Sequence, residues 1–298
     1  MTAPVRVATR GSALARWQAE RVIARLGVGA EMVIVSTRGD LDRTSAIHAL
    51  GGTGVFVKEI QDTVLRGDAD IAVHSAKDLP PDTPDGLVLA AVPERADVRD
   101  ALVGARLDAL APGATIGTGA VRRRAQLAAL RPDLRFAELR GNVPTRVERA
   151  RDFDAVVIAL AALERLQMTD HVAEVLDTNV MLPMVGQGAL AVECRADDDS
   201  VHAMLNAIDD PVAHRCLNAE RSFLRELGGG CTLACGAHAT ITDSGLLHLD
   251  ALLASIDGTS IVRTADEGEA AERLGHTVAR RILDDLGGRA LLANEVMG

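Results

Sequence analysis

The chain has 298 residues, of which 48% are hydrophobic and 25% charged, and its formal net charge is −10. That length exceeds one ordinary hydrophobic core and predicts two or three domains of about 100 residues each. The acidic balance, the 2% of aromatic residues and the lack of tyrosine argue against a nucleic-acid-binding protein. The four cysteines do not suffice for a disulfide scaffold, and we find neither an apolar leader nor the roughly 20 apolar residues of a membrane span. We therefore expect a soluble, reduced, cytoplasmic protein.

The first part of the chain alternates predicted strands with predicted helices. After the first strand, Ala15, Ala19 and Val22 fall on one face of a helix. A second helix follows the glycine-rich residues 51–54 and ends near residue 66. Strands are predicted over residues 5–9, 31–36 and 70–74. This βαβ order favours a parallel, buried sheet.

Residues 113–166 repeat this plan with a different sequence. A short strand ends at Gly117, and further strands are predicted over residues 134–139 and 155–160. One helix is predicted over residues 122–130, and another opens after Arg140-Gly141-Asn142 with Pro144 near its first turn, where proline is tolerated. The repeat predicts a second α/β lobe.

Beyond Pro211 the pattern changes. Residues 236–242, 246–254 and 260–264 alternate as in an antiparallel meander, and residues 267–286 are predicted as one long helix. The end of the chain is therefore predicted to form a small α+β domain.

The basic residues are almost all arginine, since Lys58 and Lys77 are the only lysines among 32 basic residues. Arginine grips carboxylates bidentately, although genomic base composition accounts equally well for the bias. Several arginines fall just beyond predicted strand ends, where open α/β sheets bind ligands. Two lobes facing each other would form an arginine-lined cleft; the alternative is a set of solvated charges at helix starts. These arginines are Arg10, Arg38, Arg122, Arg123 and Arg140.

A cysteine follows three consecutive glycines, at Cys231. A free cysteine is usually a small buried hydrophobe. The glycines favour the other interpretation, because they permit unusual backbone conformations and let a bulky adduct approach the main chain. The spacing of Cys231, Cys235 and His238, with His214 and Cys216 nearby, could suggest zinc, but it departs from the usual C-x2-C pattern. We expect no metal.

Eight motifs, in order over nearly the whole chain, resemble the porphobilinogen deaminase (hydroxymethylbilane synthase) family. They are VATRGSALARWQ, GGTGVFVKE, HSAKDLP, ERADVRDAL, GTGAVRRRAQL, LRGNVPTR, MLPMVGQGALAVECR and GGGC. The resemblance implies two lobes built like type II periplasmic binding proteins and a small α+β domain. The implied boundaries are residues 1–95 with 189–208 for lobe 1, 99–184 for lobe 2 and 211–298 for the C-terminal domain.

The resemblance also implies the chemistry. Family members carry a dipyrromethane cofactor on a thioether, here at Cys231, and condense four porphobilinogens head to tail with release of ammonia. Hydrolysis then frees linear hydroxymethylbilane, a precursor in porphyrin and heme biosynthesis. The implied enzyme is a monomeric cytoplasmic transferase that binds its small-molecule substrate porphobilinogen. It is expected to bind neither nucleic acid nor membranes.

Site residues follow from the same motifs. Asp78 corresponds to the family's catalytic aspartate, which stabilises developing positive charge and relays protons. Taken alone, an aspartate before Leu-Pro-Pro is more often a turn or cap residue. The residues that correspond to the cofactor- and substrate-binding positions are Cys231, Arg10, Ser75, Lys77, Thr118, Arg122, Arg123, Arg140, Arg146, Arg165, Gln187 and Gly188.

Some residues depart from the family pattern. Thr53 stands where many relatives have lysine, Gly119 and Ala120 replace a common serine pair, and Ala234 with Cys235 replaces a usual Pro-Ile. The rival class is a non-enzymatic two-lobed binding protein for a small polycarboxylate ligand, because fold alone does not separate the two. A covalent adduct on Cys231 discriminates between them.

Overall fold

The computed structural model describes residues 3–37, 54, 56–229 and 233–296. Contacts divide the chain into two compact units. Unit 1 comprises Met1–Ala96 with Gly188–Arg215, and unit 2 comprises Asp97–Gln187 with Cys216–Gly298. Among the described residues, no helix combines the length and the apolar character that a membrane crossing requires.

The strands and helices are numbered in chain order. The strands are β1 Val5–Arg10, β2 Ala30–Val35, β3 Ile71–Ser75, β4 Leu87–Ala91, β5 Asp100–Val103, β6 Thr115–Gly117, β7 Arg135–Ala137, β8 Ala155–Ala159, β9 Val172–Leu176, β10 Leu190–Arg195, β11 Cys235–Ile241, β12 Leu247–Ala254 and β13 Ile261–Gly268. The helices are α1 Ala13–Leu26, α2 Lys58–Leu65, α3 Val121–Leu130, α4 Val143–Glu148, α5 Leu160–Arg165, α6 Asp199–Leu205, α7 Pro211–Glu226, α8 Ala271–Arg280 and α9 Gly288–Val296.

The sheet of unit 1 has the strand order β2-β1-β3-β10-β4. Strand β1 runs parallel to β2 and β3, whereas β10 is antiparallel to both β3 and β4. The predicted parallel arrangement is therefore confirmed for β1, β2 and β3, and the antiparallel strand β10 is an addition that the βαβ pattern did not predict. Strand β10 comes from a segment about a hundred residues further along the chain than β4, and such an insertion is not bound by the βαβ crossover that keeps successive strands parallel.

Helices cover both faces of this sheet. Ala19 and Val22 of α1 pack with Val7 and Val73 on one face, and Ile60 of α2 packs with Ala8 and Ala72 on the other. Local sequence fixes the ends of α1, because the Ser12 hydroxyl accepts a hydrogen bond from the Ala15 amide at 3.3 Å. At its other end Gly27 adopts a φ of 63°, the left-handed conformation that glycine allows.

The first sheet of unit 2 repeats the topology with the order β7-β6-β8-β5-β9. Here β6 is parallel to β7 and β8, and β5 is the inserted antiparallel strand. The order 2-1-3-inserted-4 in both sheets is that of type II periplasmic binding proteins, which confirms the predicted fold class. Asn142 caps α4 by accepting a hydrogen bond from the Thr145 amide at 3.0 Å.

A second sheet in unit 2 is antiparallel, with the order β11-β12-β13. Phe223 of α7 and Val278 of α8 lie in the core that covers it. The predicted helix over residues 267–286 is wrong at its start, because β13 continues to Gly268 and α8 begins at Ala271. Alternating exposure runs through the whole of β13, so its strand pairing with β12 overrides the helix propensity of the last residues.

Candidate functional site

In unit 1, predicted site residues lie at one edge of the sheet. Arg10 ends β1 and Ser75 ends β3, and these neighbouring parallel strands place their carboxyl ends at the same edge. A single 3-10 turn, Ala76–Asp78, follows directly. The Ala76 amide donates to the Ala189 carbonyl at 3.0 Å, which fixes the start of this turn. Asp78 is thus presented at the ligand-binding edge of an open α/β sheet.

The polar groups around this turn differ in their partners. The Ser75 hydroxyl accepts a hydrogen bond from Gln18 Nε2 at 2.8 Å and lies 3.2 Å from Gln18 Oε1. Lys77 and Asp78 are half-buried. Within the part of the chain that the structure describes, the Asp78 carboxylate makes no hydrogen bond or ion pair. A carboxylate without a structural partner can accept hydrogen bonds from a ligand.

Arg10 carries a contact that sequence reasoning missed. Its guanidinium carbon lies 4.1 Å from the centre of the Phe56 ring, a cation–π geometry. The chain has only four phenylalanines, and the position of Phe56 two residues after the glycine-rich segment was the available signal. Residues 51–53, including Thr53, and Arg38 lie outside the described residues.

Unit 2 builds a corresponding edge from arginines and hydroxyl groups. Thr118 follows β6 and Arg140 lies shortly after the neighbouring parallel strand β7. The buried Thr118 accepts a hydrogen bond from the Ala120 amide at 3.2 Å. Arg146 on α4 donates from Nε to the Gly141 carbonyl at 2.7 Å, so the turn before the helix orients its guanidinium.

A buried ion cluster surrounds Asp100, the first residue of the inserted strand β5. Asp100 Oδ2 lies 2.8 Å from Arg122 Nη2, and Oδ1 lies 2.8 Å from Arg123 Nη2. Arg122 also donates to the Leu182 carbonyl, and Arg123 donates to the Val157 carbonyl at 2.9 Å. The alternative that these two arginines are solvated helix-start charges is wrong, because both are buried; the adjacent Arg124 is exposed.

The charges of this cluster do not cancel. Burial alone would raise the pKa of Asp100, but Arg122 and Arg123 hold that pKa well below its usual range. Burial lowers the pKa of Arg122 from its ordinary value, although Asp100 opposes the shift. Two guanidinium groups therefore share one carboxylate. In addition, Arg122 Nε is buried without a hydrogen-bond partner among the described residues. The cluster is suited to a further anionic group.

Gln187 and Gly188 occupy different settings. Gln187 is 1% exposed, and its Nε2 donates to the Val98 carbonyl at 2.7 Å and to Asp100 Oδ1 at 3.0 Å. The side chain therefore belongs to the buried ion cluster and holds Asp100 in place. Gly188 has a φ of 84°, which disfavours any side chain at this position.

Arg165 ends the short helix α5, which follows β8, and is half-buried. Burial lowers the pKa of Arg165 to about 10, with Glu164 opposing the shift. A partly desolvated guanidinium gains more from an added anion than an exposed one does. Arg165 is therefore partly desolvated, and it lies one helix beyond the end of β8.

The four cysteines divide into two groups. Cys194, Cys216 and Cys235 are buried free thiols, and burial raises the pKa of Cys194 to about 11. A buried thiol with a raised pKa reacts poorly, because the thiolate is the nucleophile. Cys231 lies outside the described residues. Across the described residues, no three His, Cys, Asp or Glu side chains are grouped so as to hold a metal ion.

Taken together, the fold defines an α/β protein with two type II periplasmic-binding-protein-like sheets and a small antiparallel sheet. Comparison with known families is more specific. The model described as porphobilinogen deaminase, dipyromethane cofactor binding domain, matches residues 5–203. The model of the porphobilinogen deaminase C-terminal domain matches residues 214–284.

Curated relatives agree with these models. The porphobilinogen deaminase of Nitratidesulfovibrio vulgaris is 40% identical over 301 residues, covering 96% of this chain and 95% of its own. That of Pelobacter propionicus is 43% identical over 299 residues, covering 97% and 96%. A TRAP periplasmic solute binding protein from Pseudomonas putida F1 aligns over 70% of this chain and 78% of its own, at 9% identity and a TM-score of 0.38.

The chain belongs to the porphobilinogen deaminase family. It is therefore an enzyme of the transferase class, and its family uses a dipyrromethane cofactor in tetrapyrrole biosynthesis. Family membership decides between the two predicted classes in favour of the enzyme over the non-enzymatic binding protein.

Proposed function

We propose that this chain condenses four porphobilinogens head to tail on a cysteine-linked dipyrromethane, releases four ammonia molecules and hydrolyses the product to linear hydroxymethylbilane. The observation that supports this assignment best is the buried cluster of Arg122 and Arg123 around Asp100, in a chain of this family. Every pyrrole of such a product carries an acetate and a propionate. A protein with a net charge of −10 must offset those carboxylates locally.

The residues present suit the dipyrromethane group. Two buried guanidinium groups share one carboxylate, and Arg122 Nε has no protein partner in the described chain. When bound, the group supplies the pyrrole carbon to which substrate is added. We propose that arginine, lysine and hydroxyl side chains bind the carboxylates of the cofactor and of the growing pyrrole chain. Gln187 and Gly188 support these binding residues. These residues are Arg10, Ser75, Lys77, Thr118, Arg122, Arg123, Arg140, Arg146 and Arg165.

We assign the chemistry to Asp78. Loss of ammonia leaves a cation on the substrate, and the carbon–carbon bond formed next leaves a proton to be removed. A carboxylate can hydrogen-bond a pyrrole N–H, stabilise the positive charge and accept the proton. The position of Asp78 on a turn at the sheet edge, without a structural partner in the described chain, supports this role.

We also propose that the chain is organised as three domains. Lobe 1 comprises residues 1–95 and 189–208, lobe 2 comprises residues 99–184, and residues 211–298 form the domain that carries Cys231. The separate core of the antiparallel sheet, which includes Phe223 and Val278, supports a third domain. We further propose a cytoplasmic monomer that binds neither nucleic acid nor membranes.

Intact-mass measurement with peptide mapping tests the proposed function. Purified protein should carry one dipyrromethane, on the peptide that contains Cys231. Replacing Cys231 by Ala should abolish both the adduct and ammonia release from porphobilinogen. The matched control is Cys235→Ala, four residues away, which should retain the adduct. An active preparation with unmodified Cys231 would refute the covalent attachment.

A further inference from the structure

Unit 1 contains a buried polar cluster that the proposed chemistry does not use. His74 on β3 and Glu193 on β10 have side chains that are 2% and 0% exposed, and His74 Nε2 lies 3.1 Å from Glu193 Oε2. Gln61 on α2 donates from Nε2 to both Glu193 oxygens, at 3.1 and 2.9 Å. Three elements of unit 1 are thus joined through one carboxylate.

The strand register explains how these side chains meet. His74 pairs with Ala191 across the antiparallel ladder, and Glu193 pairs with Ala72. Residues two apart on a strand share a face, so His74 and Glu193 are diagonal neighbours on the face that α2 covers. His74 Nε2 lies 3.1 Å from the carboxylate but is not aligned for a hydrogen bond.

Buried polar side chains at His74, Gln61 and Glu193 do not maximise the free energy of unfolding. A buried carboxylate loses its hydration, and apolar replacements of buried ion pairs are often as stable as the pair or more so. What directional polar contacts provide, and apolar contacts do not, is a fixed relative position of the elements that they join. The hydrogen bonds of Gln61 therefore constrain α2 relative to β10, and the buried His74 ring brings β3 into contact with the same carboxylate.

The constrained elements lead directly to the turn that carries Asp78. His74 immediately precedes Ser75, which pairs with Leu190 at the start of β10. The next amide, that of Ala76, donates to Ala189 at 3.0 Å. A shift of β3 against β10 at His74 would therefore move the 3-10 turn by the same amount.

We propose that His74 and Glu193, supported by Gln61, are positioning residues that set the Asp78 carboxylate for reaction. The proposal rests on the proposed role of Asp78. Neither side chain needs to touch substrate. Because misplacement of a catalytic group by about 1 Å can cost 10²-fold in rate, loss of the cluster should lower kcat by about 10- to 100-fold. The KM for porphobilinogen and the loading of the cofactor should remain within about twofold of wild type.

The first test uses the isosteric variant Glu193→Gln, which replaces the carboxylate by an amide of the same volume. We expect reduced kcat with unchanged KM and a full adduct by intact mass. The matched control is Val192→Ala, a buried neighbour on the same strand whose side chain faces the opposite core. It should lower the melting temperature without lowering kcat at 25 °C.

A second variant separates positioning from stability. Replacing His74, Glu193 and Gln61 together by Leu converts the cluster into an apolar contact, which should recover melting temperature relative to Glu193→Gln. A positioning role requires that kcat stays low in this variant. Recovery of kcat together with melting temperature, or normal kcat in Glu193→Gln, would overturn the proposal.

Asp78→Asn in the same assay keeps the two proposals apart. If Asp78→Asn is inactive while the cluster variants are normal, the positioning role fails and the role of Asp78 stands. Near-normal turnover in Asp78→Asn contradicts the role of Asp78 itself, and with it the positioning role.

Discussion

The two inserted antiparallel strands, β10 in unit 1 and β5 in unit 2, each bury one carboxylate but balance it differently. Glu193 of β10 is paired with a histidine ring and a neutral glutamine amide. Asp100 of β5 is paired with two guanidinium groups and a glutamine amide. The inserted strands of two sheets with the same topology therefore carry carboxylates with different partners, and at different heights: Asp100 lies opposite Ala159 at the end of β8, and Glu193 lies opposite Ala72 within β3.

The difference shows how one fold is adapted to two tasks. In unit 2 the cluster has more positive than negative charge, which favours the binding of an added anion. In unit 1 the contacts of Glu193 with His74 and Gln61 lie within the core, and Asp78 presents its carboxylate at the sheet edge. On the function proposed above, unit 1 would hold the Asp78 carboxylate in position, and unit 2 would bind the carboxylates of cofactor and substrate.

The largest expected effect comes from removing the charge at the sheet edge of unit 1. Asp78→Asn keeps the shape and can still accept a hydrogen bond, but it neither carries the charge nor takes a proton. We expect a loss of turnover of about 10²- to 10⁴-fold with normal folding.

The companion variant Asp78→Glu should retain more activity, because the carboxylate survives with a longer reach. A residue that only caps a turn would show the reverse order, since Asn caps turns well and Glu does not. Ammonia release and melting temperature, measured for both variants, distinguish the two roles.

The next largest effect concerns the charge balance in unit 2. Asp100→Asn leaves two buried guanidinium groups without their carboxylate and should lower the free energy of unfolding by about 3–5 kcal/mol. Because the pKa of Asp100 is held below its unfolded value, its ionisation stabilises the fold above about pH 4, and this stabilisation is lost as the pH falls below 4.

Denaturant unfolding from pH 7 to pH 3 tests this linkage. Wild type should lose stability more steeply below pH 4 than Asp100→Asn does. The control is Asp133→Asn, in which an exposed carboxylate paired with Arg131 is removed, and its stability should change little. Parallel pH profiles for wild type and Asp100→Asn would show that the cluster is not held by ionised Asp100.

The smallest expected effect tests whether unit 2 binds carboxylates at its edge. Arg140→Leu should impair cofactor assembly or retention of intermediates by about 10- to 100-fold, since a charge-assisted hydrogen bond contributes about 1.5–3 kcal/mol. Arg135→Leu, an exposed arginine on β7, is the matched control and should behave as wild type. Native mass spectrometry of the bound species gives the readout; equal species in both variants would remove Arg140 from the site.

Local sequence was sufficient for most individual elements. The helix that opens after Asn142 was predicted from its sequence, and alternation located β11 and β12 to within about two residues. The family motif HSAKDLP singled out Asp78, which lies on the turn after β3. The short strands β5 and β9 were missed, because short apolar runs give a weak periodic signal. The 16-residue helix α7 was also missed, although its buried residues Ala213, Cys216 and Phe223 recur at helical spacing.

The sequence by itself determined the two repeated α/β plans, the arginine bias and the family, since each depends on residue type and spacing along the chain. Only the tertiary structure decided that Arg122 and Arg123 are buried while Arg124 is exposed. It also decided that Gln61 meets Glu193 from 132 residues away. Helical and strand periodicity show which side chains of one element share a face. Which side chains of other elements they contact depends on how distant parts of the chain pack together, and periodicity carries no information about that.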